Sequence, residues 1–430
     1  MASDLLKGGV IFACILAVLV VGFRYFRERD RIFWDSSTYF ILLSCLYVGV
    51  PAWVQLDTSK SYVGASYETI LFSSQYSFYF LMVLIGYYAY KAFMPARGCF
   101  AVKPLSYALI SDGVVYVLYG IAVVYVLLVF FTHYPGVNEL WSNRSLASAF
   151  ASNINDTYKI TFVFYSVVSM VVYLAIKNGR AWFVVMLLPF VMMDILTTDR
   201  GFLFRSLMVW IAILLLNGRR VPVAKLLVLS FFIIVIEVLR VEWQRSFEWG
   251  DFLFVPAELK LTAEAGLLIL ESDRAVSVMQ YVGYSLGKVF TPQLWAGLFG
   301  DIHHFREIIV EESPLSFGLG GSLLSEVYSF KNNIVLMVYP FLVIAYLEVV
   351  NYLRRWAGVF GVMVFVFYLA STITIFRSGV IFSSMEPVYY TIYAFSWYWV
   401  VSFIARERKL FFLSSLKRES VKFICAVRFV

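Results

Sequence analysis

Apolar segments of about 20 residues recur from one end of the chain to the other. A segment of this length, wound as an α-helix, crosses the hydrocarbon core of a bilayer and satisfies its backbone hydrogen bonds internally. Charged residues make up only 15% of the 430 residues, whereas soluble domains contain about 25%. The sequence therefore predicts an all-α polytopic membrane protein rather than a soluble protein or a β-barrel, whose segments would be about 10 residues long and alternating.

Hydropathy predicts about 11 membrane-spanning helices. They lie near residues 8–23, 33–54, 69–90, 105–131, 160–176, 181–198, 201–217, 226–239, 333–350, 357–376 and 379–404. The connections rich in Lys and Arg alternate with connections that are poor in them, and by the positive-inside rule the basic ones are cytoplasmic. This orientation puts the N-terminus, loops 55–68, 132–159 and 240–322, and the turns near 198 and 378 on the extracytoplasmic side.

The chain divides into four predicted parts. Residues 1–239 hold the first eight spans, 240–322 form one large periplasmic loop, 323–405 hold the last three spans, and 406–430 form a basic amphipathic tail on the cytoplasmic leaflet. The large loop carries 11 of the 28 acidic residues and two of the three histidines, so we expect function there. Leucines between residues 259 and 270 predict a short helix in it that lies on the membrane surface.

Two arginines mark a tight turn at the outer ends of two spans. Arg200 opens the second span and Arg205 lies more than one turn deeper. A charge in a membrane helix costs at least ~2.5 kcal/mol, and guanidinium stays protonated, so Arg205 needs an anionic partner. That partner is either a nearby carboxylate, Asp194 or Asp199, or a bound ligand.

More arginines fall at the same predicted outer level: Arg240 and Arg245 after the eighth span, and Arg377 in the last outer turn. An isolated arginine there is usually interfacial. Several arginines converging on one point would instead bind a diphosphate or an acidic sugar, because guanidinium forms paired hydrogen bonds with phosphate oxygens.

A glycine-rich turn, residues 316–322, runs directly into a helix. Free amides at such a helix start, together with Ser322, favour anion binding. Glu326 lies one turn in and is expected to face a polar cavity. The alternative is that Glu326 is an ordinary acid at a helix N-terminus, or pairs with Lys331.

His303 and His304 are the remaining candidates. Imidazole binds phosphate or acts as a general base near neutral pH, although an exposed loop histidine often does neither. Adjacent histidines point apart on a regular backbone, so a metal site with Asp301 is disfavoured. We predict no metal and no cofactor, and no nucleic-acid-binding module is evident.

These stretches give the chain a family resemblance. Asp199-Arg200-Gly201 opening a helix, Phe317 to Ser322 followed by Glu326 and Tyr328, and the layout of one large loop before the last three spans resemble the bacterial oligosaccharide repeat-unit polymerases of the O-antigen polymerase (Wzy) type. The sequence departs from the family pattern after Tyr328, where Ser329-Phe330-Lys331 replaces an aromatic-Gly pair.

The resemblance implies a membrane glycosyltransferase of the GT-C type in the bacterial inner membrane, with its active site facing the periplasm. Its substrates would be undecaprenyl-diphosphate-linked oligosaccharides. Its other partners would be membrane lipid and a chain-length regulator protein. Arg200, Arg205, Arg240, Arg245 and Arg377 would bind diphosphate, with His303 and Ser322 as further binding groups. Either Glu326 or His304 would take the acceptor proton.

Two other functions stay open at this point. A ligase that transfers finished glycan from the same carrier to lipid A core or protein would share the layout and the chemistry. A flippase or exporter of lipid-linked oligosaccharide would place charges in mid-membrane on several helices and have near-symmetric halves. The acceptor distinguishes the two enzymes.

Overall fold

The computed structural model describes residues 2–58, 61, 63–93, 112–142, 144–197, 201–220, 257–287, 305–312, 322–356, 358–394 and 396. Every regular element in these ranges is helical. Seven of the helices described are long and apolar enough to cross a membrane. The chain is therefore a multi-pass helical membrane protein, as its hydropathy predicts.

The helices are numbered here in chain order. Those of the N-terminal half are α1 (Ala2–Glu28), α2 (Ser36–Ser44), α3 (Val50–Thr58), α4 (Tyr67–Phe93), α5 (Asp112–His133), α6 (Val137–Ser142), α7 (Arg144–Tyr158), α8 (Ile160–Asn178), α9 (Leu188–Thr197) and α10 (Gly201–Leu216). Those of the C-terminal half are α11 (Ala257–Glu271), α12 (Val278–Gly287), α13 (Phe305–Glu312), α14 (Leu323–Ser329), α15 (Asn333–Trp356), α16 (Gly358–Ser378) and α17 (Val380–Ser383). Residues 386–394 are also helical.

The seven spans coincide with seven of the predicted ones. The π-helix Cys45–Gly49 joins α2 to α3, so that one span runs from Ser36 to Leu56. The predicted spans at 181–198 and 201–217 correspond to shorter apolar helices, Ala181–Thr197 and Gly201–Leu216. The predicted span at 226–239 lies outside the described residues, and the one at 379–404 is described only to residue 394 and at 396.

Helix α16 forms the centre of the bundle. In the most apolar stretch of α16, 78% of the residues are buried, whereas the corresponding fractions are 17% in α1 and 22% in α5. It is apolar on all sides, which is typical of a helix surrounded by other helices. It packs against α2, α10 and α15, and the rings of Phe40 and Phe376 lie 4.6 Å apart. On α1 and α5, large apolar side chains such as Phe12 and Val117 are exposed, as lipid-facing residues would be.

Helix α11, from the large loop, packs inside the bundle. Residues 264–269 are all buried, and α11 packs against α3, α4 and α14. The Glu264 carboxylate accepts a hydrogen bond from the amide of Val63 at 3.3 Å. Lys331 Nζ donates to the carbonyl of Leu270 at 2.9 Å and so satisfies the end of α11.

A buried ion cluster joins helices near the start of α16, where Trp34 stacks on Phe365. Asp35 accepts from Arg24 at 2.7 Å and from Lys91 at 2.9 Å, and Asn351 Nδ2 donates to it at 2.9 Å. Burial alone would raise the pKa of Asp35, but the charges of Lys91 and Arg24 outweigh it and hold that pKa below its usual range. The cluster thereby ties α1, α4 and α15 to the start of α2.

Candidate functional site

The last two turns of α16 bring several polar side chains together. Ser371, Thr374 and Arg377 are spaced three residues apart, so they lie along one side of the helix. Ser371 Oγ is 2.6 Å from Tyr165 Oη of α8. Thr374 Oγ1 accepts a hydrogen bond from Arg205 Nη2 of α10 at 3.1 Å. This end of α16 is called the α16 end below.

Arg205 is held at the α16 end by neutral and aromatic groups. Its guanidinium lies 5.5 Å from the ring centre of Phe202 and 5.9 Å from that of Tyr165. Among the residues that the structure describes, none provides a carboxylate within ion-pair distance of Arg205. Asp194 instead accepts the amide of Leu203 at 2.7 Å. The local ion pair with Asp194 that the sequence left open does not form, and half-buried Arg205 keeps N–H groups for another anion.

Arg377 lies in the last turn of α16, partly exposed. It follows Thr374 by three residues, and Thr374 binds Arg205, so both arginines belong to the same end of the bundle. Three of the predicted site residues therefore gather there: Arg205, Arg377 and Glu326, whose carboxyl group packs against Gly379 immediately beyond α16.

Ser322 fixes the position of Glu326. Its Oγ accepts the amide of Ser325 at 2.9 Å, and Ser325 Oγ accepts the amide of Ser322 at 3.1 Å. This reciprocal cap starts α14 and places Glu326 one turn later. The hydroxyl of Ser322, predicted to bind the ligand, therefore serves as a helix cap.

The carboxylate of Glu326 is fully buried, and both of its oxygens accept hydrogen bonds. Tyr339 Oη donates to Oε2 at 2.6 Å, the amide of Ile381 donates to Oε2 at 3.0 Å, and the amide of Phe382 donates to Oε1 at 2.8 Å. Burial raises the pKa of Glu326 to about 7, although these three donors favour its charged form. Glu326 thus joins α14 and α15 to the start of α17, and it does not pair with Lys331.

A small cavity adjoins α14 on the side of α3 and α4. Its volume is ≈ 20 Å³, and its lining includes Gln55, Ser73, Ser322 and Tyr328. Gln55 Nε2 is buried there without a hydrogen-bond partner among the described residues. The space holds one water molecule and is far too small for a sugar ring.

The other predicted site residues, Arg200, Arg240, Arg245, His303 and His304, lie outside the described residues. Their convergence on the α16 end therefore stays a prediction. In the described part of the chain, no three His, Cys, Asp or Glu side chains gather in a way that would hold a metal ion.

One acidic residue near the α16 end, Glu386, was not predicted from the sequence. Glu386 attracts Arg205 electrostatically and also interacts with Tyr165 and Tyr390. It is the only charged residue between 379 and 404, and Pro387 follows it. A single acid inside an apolar span is the signal that would have identified it, because such residues are rare and usually functional.

Comparison with known proteins adds no family. The chain matches no protein-family model, and no curated protein or solved structure is significantly similar to it.

Proposed function

We propose that this protein is a membrane glycosyltransferase that polymerises undecaprenyl-diphosphate-linked oligosaccharide repeat units on the extracytoplasmic face of the bacterial inner membrane. The observation that carries the proposal is Arg205, a guanidinium in an apolar helix with no carboxylate in ion-pair range among the described residues. A fixed, permanently charged group of this kind suits the diphosphate of a lipid carrier. Arg377, at the same end of α16, supplies a second cation.

The reaction needs stabilisation of the leaving group. The acceptor hydroxyl, on the non-reducing sugar of one lipid-linked unit, attacks the anomeric carbon of the growing chain. The bond from that carbon to the diphosphate oxygen breaks, and its electron pair leaves with undecaprenyl diphosphate. Negative charge grows on the diphosphate during this step. Arginines already in position stabilise it more in the transition state than in the ground state.

Glu326 enters the proposal as a positioning residue. Its carboxylate is hydrogen-bonded to the protein, and two of these bonds fix the amides of Ile381 and Phe382 immediately beyond α16. The carboxylate therefore holds the turn that follows Arg377. His304, the other residue that the resemblance implies for the acceptor proton, lies outside the described residues.

The test uses purified protein in detergent with lipid-linked oligosaccharides extracted from its own host lacking this gene. The wild type should produce a ladder of polymer from these units alone. Arg205→Gln and Arg377→Gln should each reduce the rate by about 10²- to 10³-fold, the typical effect of losing one charge-stabilising donor. Arg219→Gln is the matched control, because Arg219 is exposed beyond the opposite end of α10.

Several outcomes would contradict the proposal. If the Arg205→Gln and Arg377→Gln variants form polymer of normal length at the wild-type rate, these arginines do not form the diphosphate site. Product that forms only after lipid A core or an acceptor protein is added would favour the ligase. Failure of the wild type to transfer sugar, together with movement of lipid-linked units across vesicle bilayers, would favour the flippase.

A further inference from the structure

The helical segment that follows α16 is interrupted at residues 384–385. It is helical from Val380 to Ser383, turns at residues 384–385 and becomes helical again from residue 386. Pro387 has no amide hydrogen, and the amide of Tyr389 bonds to the carbonyl of Met385 at 2.8 Å, so a new helix starts at Glu386. Interrupted helices in membrane proteins frequently form ligand sites, because the broken backbone lines a polar space.

Polar groups collect at this interruption. Ser383 Oγ is buried and has no hydrogen-bond partner among the described residues, and the same holds for Tyr346 Oη. Glu386 interacts electrostatically with Tyr346 as well as with Arg205, Tyr165 and Tyr390. Residues of three different helices, α8, α10 and α15, are thus within the electrostatic field of one carboxylate.

The two acids near the α16 end differ in what surrounds them. Glu326 is fully buried. Glu386 is only half-buried and lies in the field of Arg205, the guanidinium assigned to the diphosphate. A proton acceptor must reach the acceptor hydroxyl while the donor diphosphate is bound nearby. The partial exposure of Glu386 allows such contact, whereas the full burial of Glu326 does not.

We propose that Glu386 is the general base of the transfer, an inference that rests on the proposed function. The Glu386 carboxylate takes the proton of the acceptor hydroxyl as its oxygen bonds to the anomeric carbon. The bond to the diphosphate breaks at the same time, and the electron pair leaves with the lipid diphosphate. The proton then passes from Glu386 to water. Arg205 lowers the energy of both the carboxylate and the departing diphosphate.

The experiment compares Glu386→Gln and Glu386→Asp with Glu68→Gln, a change to an exposed acid in the first turn of α4. Polymer formation from the host lipid-linked oligosaccharides is measured from pH 5 to pH 9. Binding is measured separately, as the thermal shift that undecaprenyl diphosphate alone produces. Glu386→Gln should lower the rate of polymer formation by about 10²- to 10⁴-fold and should keep the thermal shift. Its remaining rate should no longer fall at low pH, because glutamine does not titrate. Glu386→Asp should keep that fall with a smaller loss of rate.

The outcomes separate the two proposals. A wild type that forms no polymer from these units rejects the proposed function, and the role of Glu386 with it. If the wild type polymerises and Glu386→Gln has the same rate and pH profile, only the role of Glu386 as general base is rejected. A third outcome is that Glu386→Gln neither folds nor shows the thermal shift, while Glu386→Asp keeps the wild-type pH profile. This result would assign Glu386 to structural pairing with Arg205 and would also overturn the inference.

Discussion

Gly379 lies directly against the carboxyl group of Glu326, 53 residues earlier in the chain. A Cβ atom at Gly379 would overlap Glu326 Cδ, and the backbone there has φ +91°, a conformation that side-chain-bearing residues rarely adopt. The carboxylate is itself held by Tyr339, Ile381 and Phe382 and has no room to move aside. The turn after Arg377 therefore depends on a glycine for two separate reasons.

Replacement of Gly379 by alanine tests this packing. We expect Gly379→Ala to destabilise the protein and to displace the turn that follows Arg377, because both the φ angle and the contact with Glu326 become unfavourable. Gly64→Ala is the matched control, since Gly64 also has a positive φ, +74°, but has open space where a Cβ would lie. The control should lose only about 1–3 kcal/mol from backbone strain.

Thermal unfolding of the two variants in detergent provides the measurement. Gly379→Ala should unfold at a clearly lower temperature than Gly64→Ala and should also lose activity. Equal losses in the two variants would show that φ alone matters and that the contact with Glu326 is relaxed easily.

The pKa of Glu326 predicts a dependence of stability on pH. Burial raises this pKa to about 7 from its ordinary value of 4.5, so the folded protein binds the proton more tightly than the unfolded chain does. The contribution to stability is complete below pH 4.5 and is lost as the pH rises through 7, by about 3 kcal/mol in all. The protonated acid has a partner, because Tyr339 Oη can accept a hydrogen bond from it and donate its own to the carbonyl of Leu323 at 3.3 Å.

Glu326→Gln isolates this contribution. The amide cannot titrate, and its NH₂ group faces the amide of either Ile381 or Phe382, so the variant should lose about 1–3 kcal/mol at low pH. The difference in unfolding temperature between wild type and variant should therefore shrink from pH 5 to pH 8. A difference that is constant over this interval would contradict the raised pKa.

The sequence predicted the seven long spans because a bilayer leaves the backbone few alternatives. It also predicted that Arg205 would need a partner. It did not predict Thr374, because that contact joins residues 169 positions apart and depends on how α10 packs against α16. The partners of Glu326 are non-local in the same way. The position of α11 was also unpredictable, because the burial of residues 264–269 is decided by α3, α4 and α14 rather than by its own periodicity.

Thr374 offers a test of how Arg205 is held. Thr374→Val keeps the shape of the side chain but removes the oxygen that accepts the hydrogen bond from Arg205 Nη2. We expect weaker binding of undecaprenyl diphosphate and a higher KM for the lipid-linked donor, by about 5- to 30-fold if a charged hydrogen bond of about 1–2 kcal/mol is lost. Stability should change little.

The control for this change lies on the same helix. Thr372 is buried, and its Oγ1 donates to the carbonyl of Tyr368 one turn earlier in α16. Thr372→Val removes a hydroxyl of the same kind without affecting Arg205, so the KM for the donor should stay at the wild-type value. An equal rise in KM in both variants would indicate a general effect on α16.

The ion cluster around Asp35 predicts the largest loss of stability at the other end of the bundle. Asp35→Asn leaves the charges of Arg24 and Lys91 buried without their carboxylate, which typically costs about 3–5 kcal/mol. Asp112→Asn breaks the pair with Lys177, and should cost at most about 1 kcal/mol, because the side chains of Asp112 and Lys177 are 35% and 32% exposed.

The stability that Asp35 contributes also has a predictable pH dependence. Because the pKa of Asp35 is lowered in the folded state, this contribution is present at neutral pH and is lost only as the carboxylate becomes protonated in strong acid. The difference in unfolding temperature between wild type and Asp35→Asn should therefore be constant from pH 6 to pH 8, in contrast to the difference for Glu326→Gln. A loss no greater than that of Asp112→Asn would show that the cluster is solvated and does not tie α1, α4 and α15 together.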